Sequence, residues 1–424
     1  MNFDFKLIFN SGAQLFSRLV STVSVLIVTF LITQNLSKEV WGDFVTITAY
    51  LALFSLLADF GLNGIVVKKA VADEEKASDY FKELFGLRLV LSLISIFLAL
   101  AVLSFLPHSQ TVKLGIIVGV FLILLQALFN TATAIFQTKL RWDQYALSEI
   151  VGSITTLLLV FLAVFLGGGI LWIVTVFLLG NLAKAALGLY LAQRLFKIRG
   201  FGFDFSLWKS LLLASFPLGL MIVFSQINAN VDKQIIALSN YQEIGGMSAA
   251  VAVGIYGLAY RIFDFAIALP TYLVNAAYPA MLSSHKDNKI KFSEDVRSVG
   301  QKLFAFGVVG TLVGWFLAPY TVSFFGDYSE AILTLRILLL GLPIFFVTSL
   351  LVWTVVTLNK EIFLPFVYGF AVLLNLVLNL ILIPKFGFNA AAAITVVTEL
   401  VIFLALLLLT EIDLDLLGRK ASDE

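Results

Sequence analysis

Five cations interrupt long apolar runs of this chain: Arg18, Lys184, Lys233, Arg261 and Arg336. Asp232, Asp264 and Glu399 lie comparably deep, and Asp59 and Arg88 fall near the ends of such runs. In a bilayer, a centrally placed charge costs ~2.5–3.5 kcal/mol on insertion scales, whereas one Leu returns only ~0.3–0.6 kcal/mol. These side chains are therefore expected to face protein or water rather than acyl chains. The cationic surplus suits an anionic ligand, and the planar guanidinium fork matches phosphate oxygens.

Helical spacing groups these residues. Asn10, Gln14 and Arg18 recur every fourth position, with Ser21 and Thr22 one turn on. They make a polar stripe on one helix face. Arg18 lies about 12 Å inside that run at ~1.5 Å per residue, too deep for easy snorkelling. Further along, Ser225, Asn228 and Asp232 form one stripe, with Gln226, Asn230 and Lys233 beside it. Arg261 and Asp264 are three apart, as are Asn181 and Lys184; Gln126 with Asn130 and Asn375 with Asn379 are four apart. Arg18, Arg261, Lys184, Lys233 and Arg336 are the candidate anion contacts, with Asn10, Gln14, Gln226 and Asn230 as polar cavity lining. Asp59, Asp232, Asp264 and Glu399 are candidates for coupling or gating. The plainer readings stay open. Lys184, Arg336 and Asp59 could snorkel to an interface, Arg261–Asp264 could be a structural pair, and the amide pairs could be interhelical glue.

Few other chemistries remain. The chain has no cysteine, which excludes thiol catalysis and thiolate metal sites, and its two histidines, His108 and His285, fall at loop edges.

The elements that must position these residues follow from composition. Of 424 residues, 60% are hydrophobic and 13% charged, and the mean hydropathy is +1.00. A water-soluble fold of this size could not cover so much apolar surface, so the chain is an all-α integral membrane protein. The net charge of +1 gives no sign of a nucleic-acid partner. A hydrocarbon core of about 30 Å needs about 20 residues per spanning helix. Twelve segments qualify: 10–34, 41–63, 84–106, 112–137, 147–167, 170–193, 209–239, 250–282, 298–325, 331–357, 362–384 and 387–410. Barrel strands would alternate instead. Residues 1–9 are too weakly basic for a cleaved signal peptide, so segment 10–34 reads as a retained helix.

Most of the 28 Lys and Arg fall in one alternating set of loops and termini, whereas only Lys38, Lys113 and Lys385 fall in the other set. The positive-inside rule then puts both termini in the cytoplasm. The basic connector 194–209 separates two halves, 1–197 and 198–424, of six segments each. An even count makes them parallel repeats. Gly42-Asp43-Phe44 has a counterpart half a chain on in Gly254-Ile255-Tyr256, and Gly168-Gly169 has one in Gly387. Pro217, Pro270 and Pro343 are expected inside helices of the second half, where they would kink them.

Several segments resemble a known family. Trp41-Gly42-Asp43-Phe44 through Ala58-Asp59-Phe60-Gly61-Leu62, followed by Lys68-Lys69, is similar to the second helix of polysaccharide-biosynthesis exporters. So are Gly254-Ile255-Tyr256-Gly257-Leu258-Ala259-Tyr260-Arg261, Tyr278-Pro279-Ala280-Met281 and Ile383-Pro384-Lys385-Phe386-Gly387 in theirs. The resemblance is to the Wzx-type O-antigen flippases of the MOP superfamily, which also holds lipid II flippases and MATE drug antiporters. It implies a two-lobed bundle with a central cavity. The implied activity is alternating-access transfer of undecaprenyl-pyrophosphate-linked oligosaccharide across the bacterial inner membrane, without catalysis and without a cofactor. Either a proton or a sodium ion would be the coupling ion, and a polysaccharide polymerase and chain-length regulator would be partners. Lipid II flippases place arginines on helices one and eight around the pyrophosphate, and Arg18 and Arg261 stand in similar positions. Fourteen helices are usual there, against twelve here. MATE antiporters typically carry an acid on helix one, where this chain has Arg18. A lipid II-type flippase or a cation-coupled drug antiporter is the alternative reading.

Overall fold

The computed structural model describes residues 2–196, 200–240, 246–287 and 289–414, and the side chains of residues 2–15, 18, 269, 271–273, 275–287, 289 and 412–414 are not among those described. Every element among the described residues is helical. The first unit, Met1–Leu238, holds α1 (Asn2–Asn35), α2 (Lys38–Asp59), α3 (Leu62–Ala72), α4 (Ala77–Leu103) and α5 (Gln110–Gly119). It continues through α6 (Phe121–Thr138), α7 (Trp142–Phe165), α8 (Ile170–Phe196) and α9 (Phe205–Leu238). The second unit, Ser239–Glu424, holds α10 (Ala249–Asp287), α11 (Lys289–Phe324), α12 (Ala331–Leu339), α13 (Leu342–Thr357), α14 (Leu364–Phe386) and α15 (Phe388–Leu414).

Among the described residues ten helices are long and apolar enough to cross a membrane, and the bent pair α12–α13 makes an eleventh. The apolar part of α1 described there is Leu19–Asn35. Each of the twelve segments expected from sequence coincides with one helix or one broken pair.

The breaks have local causes. The second segment divides at Phe60 and Gly61, both left-handed at φ 41° and 67°, a conformation that glycine adopts without steric cost. The fourth divides at Val120. The tenth bends by 46° between α12 and α13. There the Thr311 hydroxyl donates to the Leu339 carbonyl at 2.7 Å, satisfying an acceptor that the break leaves without a helical partner. Pro343 does not lie inside a helix, as its run of apolar neighbours implied; it stands in the first turn of α13, where its missing N–H loses no bond. The fourth and tenth segments, which occupy the same ordinal place in the two halves, are thus both broken near one end.

Small residues set the close approaches in the first unit. A Cβ on Gly115 would lie 2.3 Å from Ile47 Cδ1, and one on Gly119 2.5 Å from Leu51 Cδ1, so α5 rests directly on α2. Helix starts are capped in the usual way, Ser37 accepting from the Val40 N–H and Ser109 from that of Val112.

Candidate functional site: intramembrane charges and their partners

Among the described residues, three charge pairs stand inside spans of the first unit: Asp59–Arg88, Glu149–Lys184 and Asp232–Lys233. The apolar run that starts at residue 84 puts Arg88 near its edge. α4 begins at Ala77 instead, which carries Arg88 three turns inward to complete burial. Its guanidinium donates to Asp59 Oδ1 at 2.5 Å, to Asn63 Oδ1 at 2.9 Å and to Thr131 Oγ1 at 3.3 Å. Asp59 therefore ends α2 inside an ion pair rather than reaching alone to an interface.

The second pair lies where α7 meets α8. A Cβ on Gly152 would come within 2.6 Å of Lys184 Cβ, and one on Gly180 within 1.9 Å of Thr156 Oγ1. Small-residue contact of this kind brings two backbones together and sets Glu149, one turn before Gly152, level with Lys184, one turn after Gly180. The Lys184 Nζ lies 3.7 Å from Glu149 Oε2 and 4.8 Å from the Phe129 ring centroid. From α1, Ser21 donates to Glu149 Oε1 at 3.1 Å. Ser21, Glu149 and Lys184 line a pocket of about 120 Å³ with Ser24, Ser153, Thr156 and Asn181. A helix begun at residue 147 leaves Glu149 at its end and out of the candidate set; the start at Trp142 puts Glu149 two turns inside, and a Glu opposite a Lys on neighbouring segments is the signal the sequence offers.

Helix α9 carries both polar stripes. Asp232 is wholly buried and accepts from the Lys233 backbone N–H at 2.7 Å. The Lys233 ammonium lies 3.9 Å from Asp232 Oδ1 and also donates to the Ala229 carbonyl. Asn230 Nδ2 donates to the Gln226 carbonyl at 3.0 Å. Gln234 Nε2 reaches the Thr46 carbonyl of α2 at 2.9 Å.

In the second unit, Arg261 is half-buried on α10 and interacts electrostatically with Asp264. Arg336 donates from Nε to the Trp315 carbonyl at 3.1 Å and stacks on that indole, 5.2 Å from its centroid. Glu399 of α15 lies beside Thr348 of α13 and Tyr368 of α14, and the Thr348 hydroxyl donates to the Ile344 carbonyl at 3.0 Å. Asn375 and Asn379, both buried, join this polar core: Asn379 Nδ2 donates to Asn375 Oδ1 at 2.9 Å, and Asn375 Nδ2 to Thr398 Oγ1 at 3.4 Å. The side chains of Asn10, Gln14 and Arg18 lie outside the described residues.

A family model described as "polysaccharide biosynthesis protein" matches residues 6–285. No curated protein sequence matches the chain. Among solved structures, a lipid II flippase MurJ in an inward closed conformation superposes with a TM-score of 0.74 at 18% identity, covering 98% of this chain and 93% of its own. An inward-facing multidrug resistance MATE family transporter of the MOP superfamily gives 0.76 at 14% identity, over 98% and 100% of the two chains. A MOP superfamily transporter from Pyrococcus furiosus gives 0.68 at 15%, over 98% and 96%. At these identities the likeness establishes the fold, which these transporters share.

Proposed function

The chain belongs to the polysaccharide biosynthesis protein family, and from that premise we propose that it is a flippase for undecaprenyl-pyrophosphate-linked oligosaccharide. It would carry an O-antigen or related surface-glycan repeat unit from the cytoplasmic to the outer leaflet by alternating access. It breaks no covalent bond of its substrate and is not an enzyme. It resides in the bacterial inner membrane with both termini cytoplasmic, where the basic loops place them. A polymerase and chain-length regulator take over the delivered unit.

Family membership carries this reading. The intramembrane cations support it, because a diphosphate entering a low-dielectric span needs fixed positive charge to replace its water. By the family resemblance the pyrophosphate is assigned to Arg18 and Arg261, with Lys184, Lys233 and Arg336 extending the cationic surface, although Lys184, Lys233 and Arg336 each have a partner of their own in Glu149, Asp232 and Trp315. A proton or a sodium ion drives the cycle, with Asp232, Asp264 or Glu399 as carrier.

Surface-glycan recovery in a strain lacking its own flippase tests this. Arg18→Ala and Arg261→Ala proteins, shown by blot to be inserted at normal levels, should fail to restore the glycan. Full restoration by both would remove the anion-site assignment.

A further inference from the structure

The pocket beside Glu149 sets several oxygen-bearing side chains among Val25, Val28 and Phe177. Its lining carries one carboxylate, three serines, a threonine and an asparagine. Such hard oxygen donors suit small cations that give up water for carboxylate, hydroxyl and carbonyl ligands. Among its lining residues Glu149 and Lys184 are the only charged ones, and their side chains are 13% and 15% exposed. A lone carboxylate here would be an uncompensated charge inside a span, which is strongly unfavourable. Lys184 supplies the compensation, yet loosely: 3.7 Å separates Nζ from Oε2, against ~2.7–2.9 Å for a direct charge-assisted bond. The pocket volume of about 120 Å³ exceeds the ~10–15 Å³ a cavity needs to hold one water.

We propose that the Lys184 ammonium is a tethered cation, filling a monovalent-cation site centred on Glu149 that a free alkali or small ammonium ion would otherwise occupy. The first unit thus carries its counter-charge covalently. The Phe129 ring, 4.8 Å from Nζ, attracts the same cation through its π face and holds the lysine stem on the α6 side. Ser21 of α1 anchors the other carboxylate oxygen, so the carboxylate keeps its orientation when the ammonium is removed.

The test is cation-dependent stability of the purified full chain in nanodiscs, which needs no knowledge of the translocated substrate. Melting is followed in choline, sodium and methylammonium chlorides at equal ionic strength. Wild type should melt alike in all three. Lys184→Ala should melt lower in choline and recover saturably in sodium or methylammonium, by roughly 2–4 °C. Glu149→Gln combined with Lys184→Ala should lose that response. If Lys184→Ala does not survive extraction, Lys184→Gln heated in native membranes gives the same comparison. A lysine-less variant indifferent to the cation, or a double variant that responds equally, overturns the proposal.

Discussion

Arg88, wholly excluded from solvent on α4, holds the Asp59 carboxylate at the end of α2 with 2.5 Å between Nη2 and Oδ1. The pair joins two spans at the point where the second segment breaks.

Removing one partner strands the other. Asp59→Ala leaves a buried guanidinium with only Asn63 and Thr131 as acceptors and should cost about 3–5 kcal/mol. Asp59→Leu with Arg88→Leu should cost far less than the sum of the single changes, because neither charge is then left behind. Melting temperatures of the four proteins give the comparison. A gating role without a structural one would instead show Asp59→Asn melting normally and failing in transport.

The break next to that pair depends on two glycines. Gly61 is at φ +67°, and a Cβ on it would lie 3.2 Å from Gly219 N; a Cβ on Gly219 would lie 2.6 Å from the Phe60 carbonyl oxygen. Backbone cannot yield as a flexible side-chain tip can. Gly219→Ala should therefore destabilise by about 1–3 kcal/mol, and Gly61→Ala by about 1–2 kcal/mol from its left-handed backbone alone. Gly64, in α3 with nothing within 4 Å of its Cβ position, is the control: Ala there should be neutral or stabilising by up to ~1 kcal/mol. Thermal unfolding of the three variants distinguishes these cases.

His108, in the turn between α4 and α5, is 9% exposed and meets the Tyr50 ring edge-on at 6.3 Å. Burial, and secondarily the Lys113 charge, hold its imidazole below the ordinary histidine value of 6.5. A base whose folded pKa is depressed favours folding fully above its unfolded value, and loses that contribution as pH falls toward the folded one. The protein should therefore lose stability as pH falls below the ordinary histidine value of about 6.5. In His108→Phe that loss should be smaller, and parallel pH–melting curves for the two proteins would exclude the histidine as its source.

Much of this was legible in the sequence, because lipid imposes one rule. Twelve apolar segments had to be helices, and the order and spacing of short motifs across them carry the family resemblance. The charge partners were less legible. Arg88 and Glu149 both sit two or three turns inside helices whose starts, at Ala77 and Trp142, include polar residues that hydropathy assigns to loops. The break at Phe60–Gly61 falls at the end of the 41–63 segment, next to Asp59, where hydropathy sees only the end of a span and not the short helix α3 beyond it. Lys184 and Arg336 were recognised as intramembrane cations, but their partners, Glu149 and Trp315, come from other helices, and no spacing within a single segment reveals them.

Translocation in reconstituted vesicles tests the central claim most directly. Undecaprenyl-pyrophosphate-linked oligosaccharide is placed in one leaflet, and its arrival in the other is read with a membrane-impermeant glycan-modifying enzyme. Vesicles holding the protein should expose the glycan well above the rate of empty vesicles, and Arg18→Ala and Arg261→Ala should each slow it at least about tenfold, the factor that ~1.4 kcal/mol of lost stabilisation gives. Exposure no faster than in empty vesicles, under an imposed proton or sodium gradient alike, would contradict the account.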